Sequence, residues 1–207
     1  LAGRRLLVGV SGSIAAVKTP LLVSALVKAG AEVRCVVTPS AEKLVSPLAL
    51  SSLSRHRCYE DGDGWDSSCS RPLHIELAEW AELVVVAPLS AYSLSRWIQG
   101  SADGLLASVL LACECPVLVA AAMNTAMWNH PAVQDNWERV KHFPQVVPLE
   151  PAAGLLACDR LGDGRMADPQ MIELAVVSLF SRGQPSPQAK RDWTGLRLSL
   201  IHISEPT

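Results

Sequence analysis

Residues 6–37 read LLVGVSGSIAAVKTPLLVSALVKAGAEVRCVV, and the spacing of their apolar positions decides the fold. Leu6 to Val10 is a short apolar run of the kind a strand covered on both faces uses, and Gly9-Val10-Ser11-Gly12-Ser13 turns the chain after it. From Ile14 to Lys28 the apolar positions recur at helical spacing, and Gly30 stands where a helix-ending glycine belongs. Val33 to Val37 is a second apolar run. Strand, helix, strand makes one βαβ unit, which requires a parallel sheet covered by helices.

The rest of the chain continues the alternation. A Ser-, Asp-, Gly- and Arg-rich excursion runs from Ser54 to Arg71, with a short strand expected at Arg57 to Glu60. Pro72 opens a helix over His74 to Trp80, and Leu83 to Ala87 is a buried strand that Pro88 is expected to close. Ser90 to Gln99 and Asp103 to Ala112 read as helices joined at Gly100, and Pro116 to Ala121 as a strand. A helix follows from Met127 or Pro131 to Val140, then a strand at Gln145 to Pro148 and a last helix from Pro169 to Phe180. The expected architecture is doubly wound α/β, Rossmann-like or flavodoxin-like, with ligands beyond the carboxyl ends of the strands. The domain is expected to span residues 1–181, with a linker at 182–192 where Ser, Pro and Gln accumulate.

Composition narrows the function classes. The 207 residues carry 18 basic and 20 acidic side chains, a formal charge of -2, with no basic run to attract nucleic acid or an anionic membrane. No apolar run approaches the roughly 18 residues of a membrane span. The six cysteines are scattered, and a core of this size needs no staples, so free thiols in a reducing cytoplasm are expected. Cys113 and Cys115 lack the usual zinc spacing, and no metal is expected.

Four clusters carry polar groups at strand ends or in loops. Gly9, Ser11, Gly12, Ser13 and Ile14 form a glycine- and hydroxyl-rich turn that suits a phosphate, without the spacing of a dinucleotide or Walker loop; a plain turn is the alternative. Thr38 and Ser40 add hydroxyls from the next strand end, where a helix cap serves equally well. Pro88, Ser90, Ala91, Tyr92 and Ser93 follow a third strand, and Asn124 emerges after a fourth, where an amide near the core needs partners. Met123, Met127 and Trp128 read as packing. His74 sits just inside a helix and is either a proton carrier or a core histidine. Glycines flank Cys158 between Gly154 and Met166, which suits a lid bearing a thiol, with a structural thiol as the alternative.

Taken in this order, the clusters over residues 4 to 180 resemble the homo-oligomeric flavin-containing cysteine decarboxylases. The resemblance implies FMN as cofactor, held by Gly9, Ser11, Gly12, Ser13, Ile14, Thr38, Ser40, Pro88, Ser90, Ala91, Tyr92 and Ser93. His74 in His-Ile-Glu-Leu, Asn124 in Met-Asn-x-x-Met-Trp and Cys158 before Gly-x-Gly-Arg-Met match the family's catalytic histidine, asparagine and flap cysteine. Asn124, Met127, Ala157, Arg165 and Met166 fall where that family binds substrate. The chain departs from the family at Tyr92, where an asparagine is usual, at Ala121, where a proline is, and at Asp159, where glycine is commoner. Cys158 and the tail favour the coenzyme A branch, whose substrate is 4'-phosphopantothenoylcysteine. Peptidyl-cysteine decarboxylases, flavin prenyltransferases and a non-catalytic flavin-binding subunit are the other readings.

The same likeness implies a homotrimer or higher homo-oligomer with sites at subunit contacts. Trp193 to Arg197 resembles the start of a synthetase module expected downstream. Residues 198–207 resemble a translated sequencing adapter and are expected to be non-native.

Overall fold

The structure, a computed structural model, describes residues 1–65, 70–155 and 161–181. The expected linker, the synthetase-like opening and the adapter-like tail lie outside the described residues, as do Cys69, Ala157, Cys158 and Asp159.

Six strands, β1 (Arg5–Val10), β2 (Glu32–Val37), β3 (Cys58–Tyr59), β4 (Leu83–Leu89), β5 (Val117–Ala121) and β6 (Val146–Leu149), form one parallel sheet in the order β3-β2-β1-β4-β5-β6. That is the doubly wound order, and the direction of winding reverses between β1 and β4. Alternate side chains face two cores. Leu6, Val8, Val10, Val85, Leu118 and Ala120 point to one, filled by α1 (Thr19–Lys28), α2 (Pro39–Glu42), α3 (Pro47–Ser54) and α9 (Pro169–Ser181). Leu7, Val84, Val86, Val117 and Val119 point to the other, covered by α4 (Leu73–Trp80), α5 (Ala91–Ile98), α6 (Leu105–Ala112) and α8 (Pro131–Lys141). Between α6 and α8 lies α7 (Thr125–Trp128), one turn that follows β5.

Two expectations are corrected by proline chemistry. The helix expected from Ile14 to Lys28 is split: Ile14–Lys18 forms a 3₁₀ turn and α1 restarts at Thr19. Pro20 has no N–H to bond the Ala16 carbonyl, and the Thr19 N–H takes that carbonyl instead. Pro88 does not end its strand, because β4 continues to Leu89 through a register shift against β5. The shift exchanges faces, so Leu89 joins the core that Val84 and Val86 fill. The region between Ser40 and Ser54 carries α2 and α3, whose starts are capped by Thr38 and Ser46, each accepting from the N–H three residues on.

The four described cysteines, Cys35, Cys58, Cys113 and Cys115, are free thiols. Burial pushes the Cys58 thiol up to about 12, with nearby carboxylates adding to the effect, so it stays protonated and acts as a small apolar side chain. Among the described residues no helix is long and apolar enough to cross a membrane.

One buried hydroxyl ties α1 to the sheet. Thr19 is fully buried, and its Oγ1 donates to the Ala87 carbonyl at 2.8 Å. Thr19→Val keeps the shape and strands that carbonyl, so it should lower unfolding free energy by about 1–3 kcal/mol in urea titrations; an unchanged midpoint contradicts the role.

Candidate functional site

At the point where the winding reverses, the loops after β1 and β4 are joined by one side chain. Ser11 is fully buried. Its Oγ donates to the Pro88 carbonyl at 2.8 Å and accepts from the Ser90 N–H at 2.7 Å. Both hydrogen-bonding roles of the hydroxyl are thereby used inside the protein. Ser90 in turn caps α5, its Oγ accepting from the Ser93 N–H at 3.3 Å and lying 3.2 Å from the Ser93 hydroxyl. Gly12 passes so close to Ser40 that a Cβ on it would overlap the serine's own Cβ, and a Cβ on Gly9 would meet Leu106 at 2.5 Å.

These contacts shape two adjoining cavities that share Gly12, Ser90 and Tyr92. The first, about 280 Å³, gathers Thr38, Ser40 and Ser93 with Arg96 over a floor of Trp97 and Leu106. The second, about 550 Å³, is lined by Ser13, Ile14, Met123, Asn124, Met127 and Arg165, with Met166 behind. Thus Gly12, Thr38, Ser40, Ser90, Tyr92 and Ser93 meet at one cavity, and Ser13, Ile14, Ala91, Asn124, Met127, Arg165 and Met166 at the other. Gly9, Ser11 and Pro88 line neither; they form the frame beneath.

Asn124 leaves β5 at its carboxyl end and caps α7, its Oδ1 accepting from the Ala126 N–H at 2.8 Å. That bond turns the amide oxygen to the backbone. Over this loop lies a hairpin of β7 (Ala152–Leu155) and β8 (Leu161–Arg165). The Gly164 carbonyl accepts from the Met123 N–H at 2.9 Å, and Gly164 has φ +125° with its Cα against the Met123 carbonyl. A Cβ on Gly162 would sit 2.5 Å from Thr125 Oγ1. The described parts of the segment expected to be a lid are two strands whose glycines allow close docking on the Asn124 loop; residues 156–160, with Ala157 and Cys158, lie outside the described residues.

His74 lies elsewhere. Half-exposed at the start of α4, it faces a third cavity of about 750 Å³ with Trp65, Arg71 and Leu111, and shares no wall with Asn124. Asp61, Asp103 and Gly104 line both this cavity and the first.

Sequence reading missed Arg96, Asp61 and Lys18. Arg96 follows Ser93 by three residues on α5, a helical spacing that could have found it; it pairs with Asp103 and stacks over Tyr92 at 5.8 Å. Asp61 accepts from the Leu105 N–H at 2.9 Å across 44 residues, which no local pattern reveals. Removal from water pushes the Asp61 carboxyl above its ordinary value, the Leu105 N–H opposes this, and Asp103 adds to the rise.

The flavoprotein family profile matches residues 1–181. The bifunctional coenzyme A biosynthesis protein CoaBC of Bacillus subtilis is 40% identical over 187 residues, covering 90% of this chain and 46% of that protein. The chain thus spans about half the length of the curated relative it matches. Among solved structures, a PPC decarboxylase mutant complexed with pantothenoylaminoethenethiol superposes with a TM-score of 0.81 at 35% identity, over 86% of this chain and 99% of that one. The FMN-binding protein AtHal3 gives 0.77 at 36% identity, over 88% and 99%.

Two outcomes check this geometry. Ser11→Ala leaves the Ser90 N–H without its partner, and should both destabilise the fold by about 1–3 kcal/mol and weaken flavin binding measured by fluorescence quenching; loss of neither shows that the clamp is dispensable. Because the folded state holds the Asp61 proton more tightly than the unfolded state, stability falls as pH rises from the ordinary carboxylate value through the raised one. Asp61→Asn keeps an acceptor for Leu105 and removes that slope. Its urea midpoint should rise relative to the parent between about pH 3 and about pH 7, and parallel pH profiles contradict the assignment.

Proposed function

The chain belongs to the flavoprotein family, and on that premise we propose that it decarboxylates 4'-phosphopantothenoylcysteine to 4'-phosphopantetheine with bound FMN, in coenzyme A synthesis in the cytoplasm. The observation that carries the reading is the meeting of a hydroxyl-rich cradle and the Asn124 cavity across Gly12, Ser90 and Tyr92.

The residues fit the cofactor. Thr38, Ser40, Ser90, Ser93 and Arg96 offer donors for a phosphate, and Gly12 keeps the loop low enough for one to enter. Ile14, Met123 and Met127 give the adjoining cavity apolar walls for a flat ring. FMN, when bound, supplies a two-electron sink at the cysteinyl carbon and returns the electrons, so the net reaction is loss of carbon dioxide.

The chain's own residues orient and move protons. Asn124 donates through its amide nitrogen to the substrate carboxylate and fixes its direction. His74 moves a proton, and Cys158 returns one to the product.

A single copy does not bring His74 to Asn124, which supports the homo-oligomeric reading, trimer or higher, with the site completed between copies. The rims of the two cavities suit such a contact: Ile14 is 55% and Val17 53% exposed beside the Asn124 cavity, and Trp65 is 89% exposed beside His74. Two different patches that meet form a heterologous ring. The relative's bifunctionality supports a synthetase module in the natural protein, downstream of residue 181.

FMN-loaded protein given 4'-phosphopantothenoylcysteine should release carbon dioxide and 4'-phosphopantetheine, whereas His74→Asn and Asn124→Asp should each lose at least about a hundredfold in rate. Turnover of a peptide with a C-terminal cysteine instead moves the chain to the peptidyl branch. Co-assembly of the two inactive variants should restore up to about a quarter of parental activity, since random mixing rebuilds that share of heterologous contacts. No recovery in verified mixed oligomers places both residues in one copy's site.

A further inference from the structure

Among the described residues, Lys18 and Arg165 are the two charged side chains that line the Asn124 cavity. Lys18 ends the 3₁₀ turn after β1, and Arg165 ends β8. Both reach the same oxygen of one carboxylate behind the wall: Lys18 Nζ lies 3.4 Å and Arg165 Nη2 2.7 Å from Asp168 Oδ1. Two cations against one carboxylate leave a net positive charge in a cavity whose other walls are uncharged, with Ile14, Val17, Met123, Met127 and Met166 as its larger apolar side chains. The three side chains are about one third to one half exposed, so these pairs hold each other weakly and exchange readily for a stronger anion. A phosphate monoester is that anion, with nearly two charges at neutral pH and oxygens that match a guanidinium and an ammonium together.

Resting on the decarboxylase reading above, we propose that Lys18 and Arg165, poised by Asp168, bind the phosphate of the substrate and so set its specificity for a phosphorylated cysteine conjugate over a peptide. A peptide ending in cysteine offers no such group, whereas 4'-phosphopantothenoylcysteine carries a phosphate at the end opposite its carboxylate. The cofactor also bears a phosphate, but Thr38, Ser40 and Ser93 line the adjoining cavity, whose walls include neither cation. Asp168 keeps the pair in place without ligand and gives up part of its hold when the phosphate arrives.

The test compares binding of 4'-phosphopantothenate and pantothenate to the FMN-loaded protein by calorimetry, in the parent, Lys18→Gln and Asp168→Asn, with FMN affinity measured separately by fluorescence quenching. The parent should prefer the phosphorylated probe by more than about tenfold; Lys18→Gln should cut that preference about tenfold, and Asp168→Asn should raise it severalfold. FMN affinity should stay within about twofold in both variants. A preference unchanged across the three proteins overturns the proposal. Loss of FMN affinity with no change in preference assigns the cations to the cofactor and also overturns it. If the parent decarboxylates no phosphorylated substrate yet shows the Lys18-dependent preference, the anion site stands and the reaction assignment falls. Turnover of the phosphorylated substrate without that preference leaves the reaction standing and overturns the anion site.

Discussion

The site depends on the hydroxyl of Ser11. In a doubly wound sheet the loops after the two central strands diverge and leave a crevice. Divergence alone leaves that crevice soft, because each loop follows its own helix. Ser11 removes the freedom by accepting from the Ser90 N–H and donating to the Pro88 carbonyl, at a position with no water to compete. The bulge in β4 cooperates, because it carries Pro88 through the strand and leaves its carbonyl turned to the β1 loop. From that bond follow the cap on α5, the heights of Ser90 and Ser93, and the shared wall of the two cavities. A residue that reads as a ligand contact in the sequence is fully buried and ties the two loops together beneath the cavities.

Much of the fold was legible because its signals are local. The runs Leu6–Val10, Val33–Val37 and Leu83–Ala87 are apolar at every position, or nearly so, as buried parallel strands require, and each lies within one or two residues of its expected place. The errors came from proline, whose meaning depends on tertiary context. Pro20 splits a helix that periodicity runs through, and Pro88 sits inside a strand that it was expected to end. Polar clusters at strand ends were legible for the same reason as the strands. Missing were partners set by long separations, such as Asp61 with Leu105 and Lys18 with Asp168, which no window of sequence joins.

The hairpin of β7 and β8 shows how glycine can mean two things. Gly162 and Gly164 beside Cys158 suggest freedom of movement when read along the chain. In the fold, Gly164 adopts a backbone that side chains rarely allow, and both positions face atoms of the Asn124 loop that a Cβ would strike. Their function is approach, since they let the strand lie on that loop and set Arg165 and Met166 into the cavity wall.

The arrangement of charge suits a reaction that discards a carboxylate. A cation directly on that carboxylate stabilises it before reaction more than during it, which raises the barrier. A neutral amide, fixed through its own oxygen to the backbone, orients the carboxylate at lower cost to the later step. The cavity's two cations are instead held by Asp168 and suit a group whose charge does not change as carbon dioxide leaves. On the proposed reading, binding energy from the phosphate serves to hold the carboxylate for Asn124, and the charged groups that attract the substrate differ from the amide that orients its reacting end.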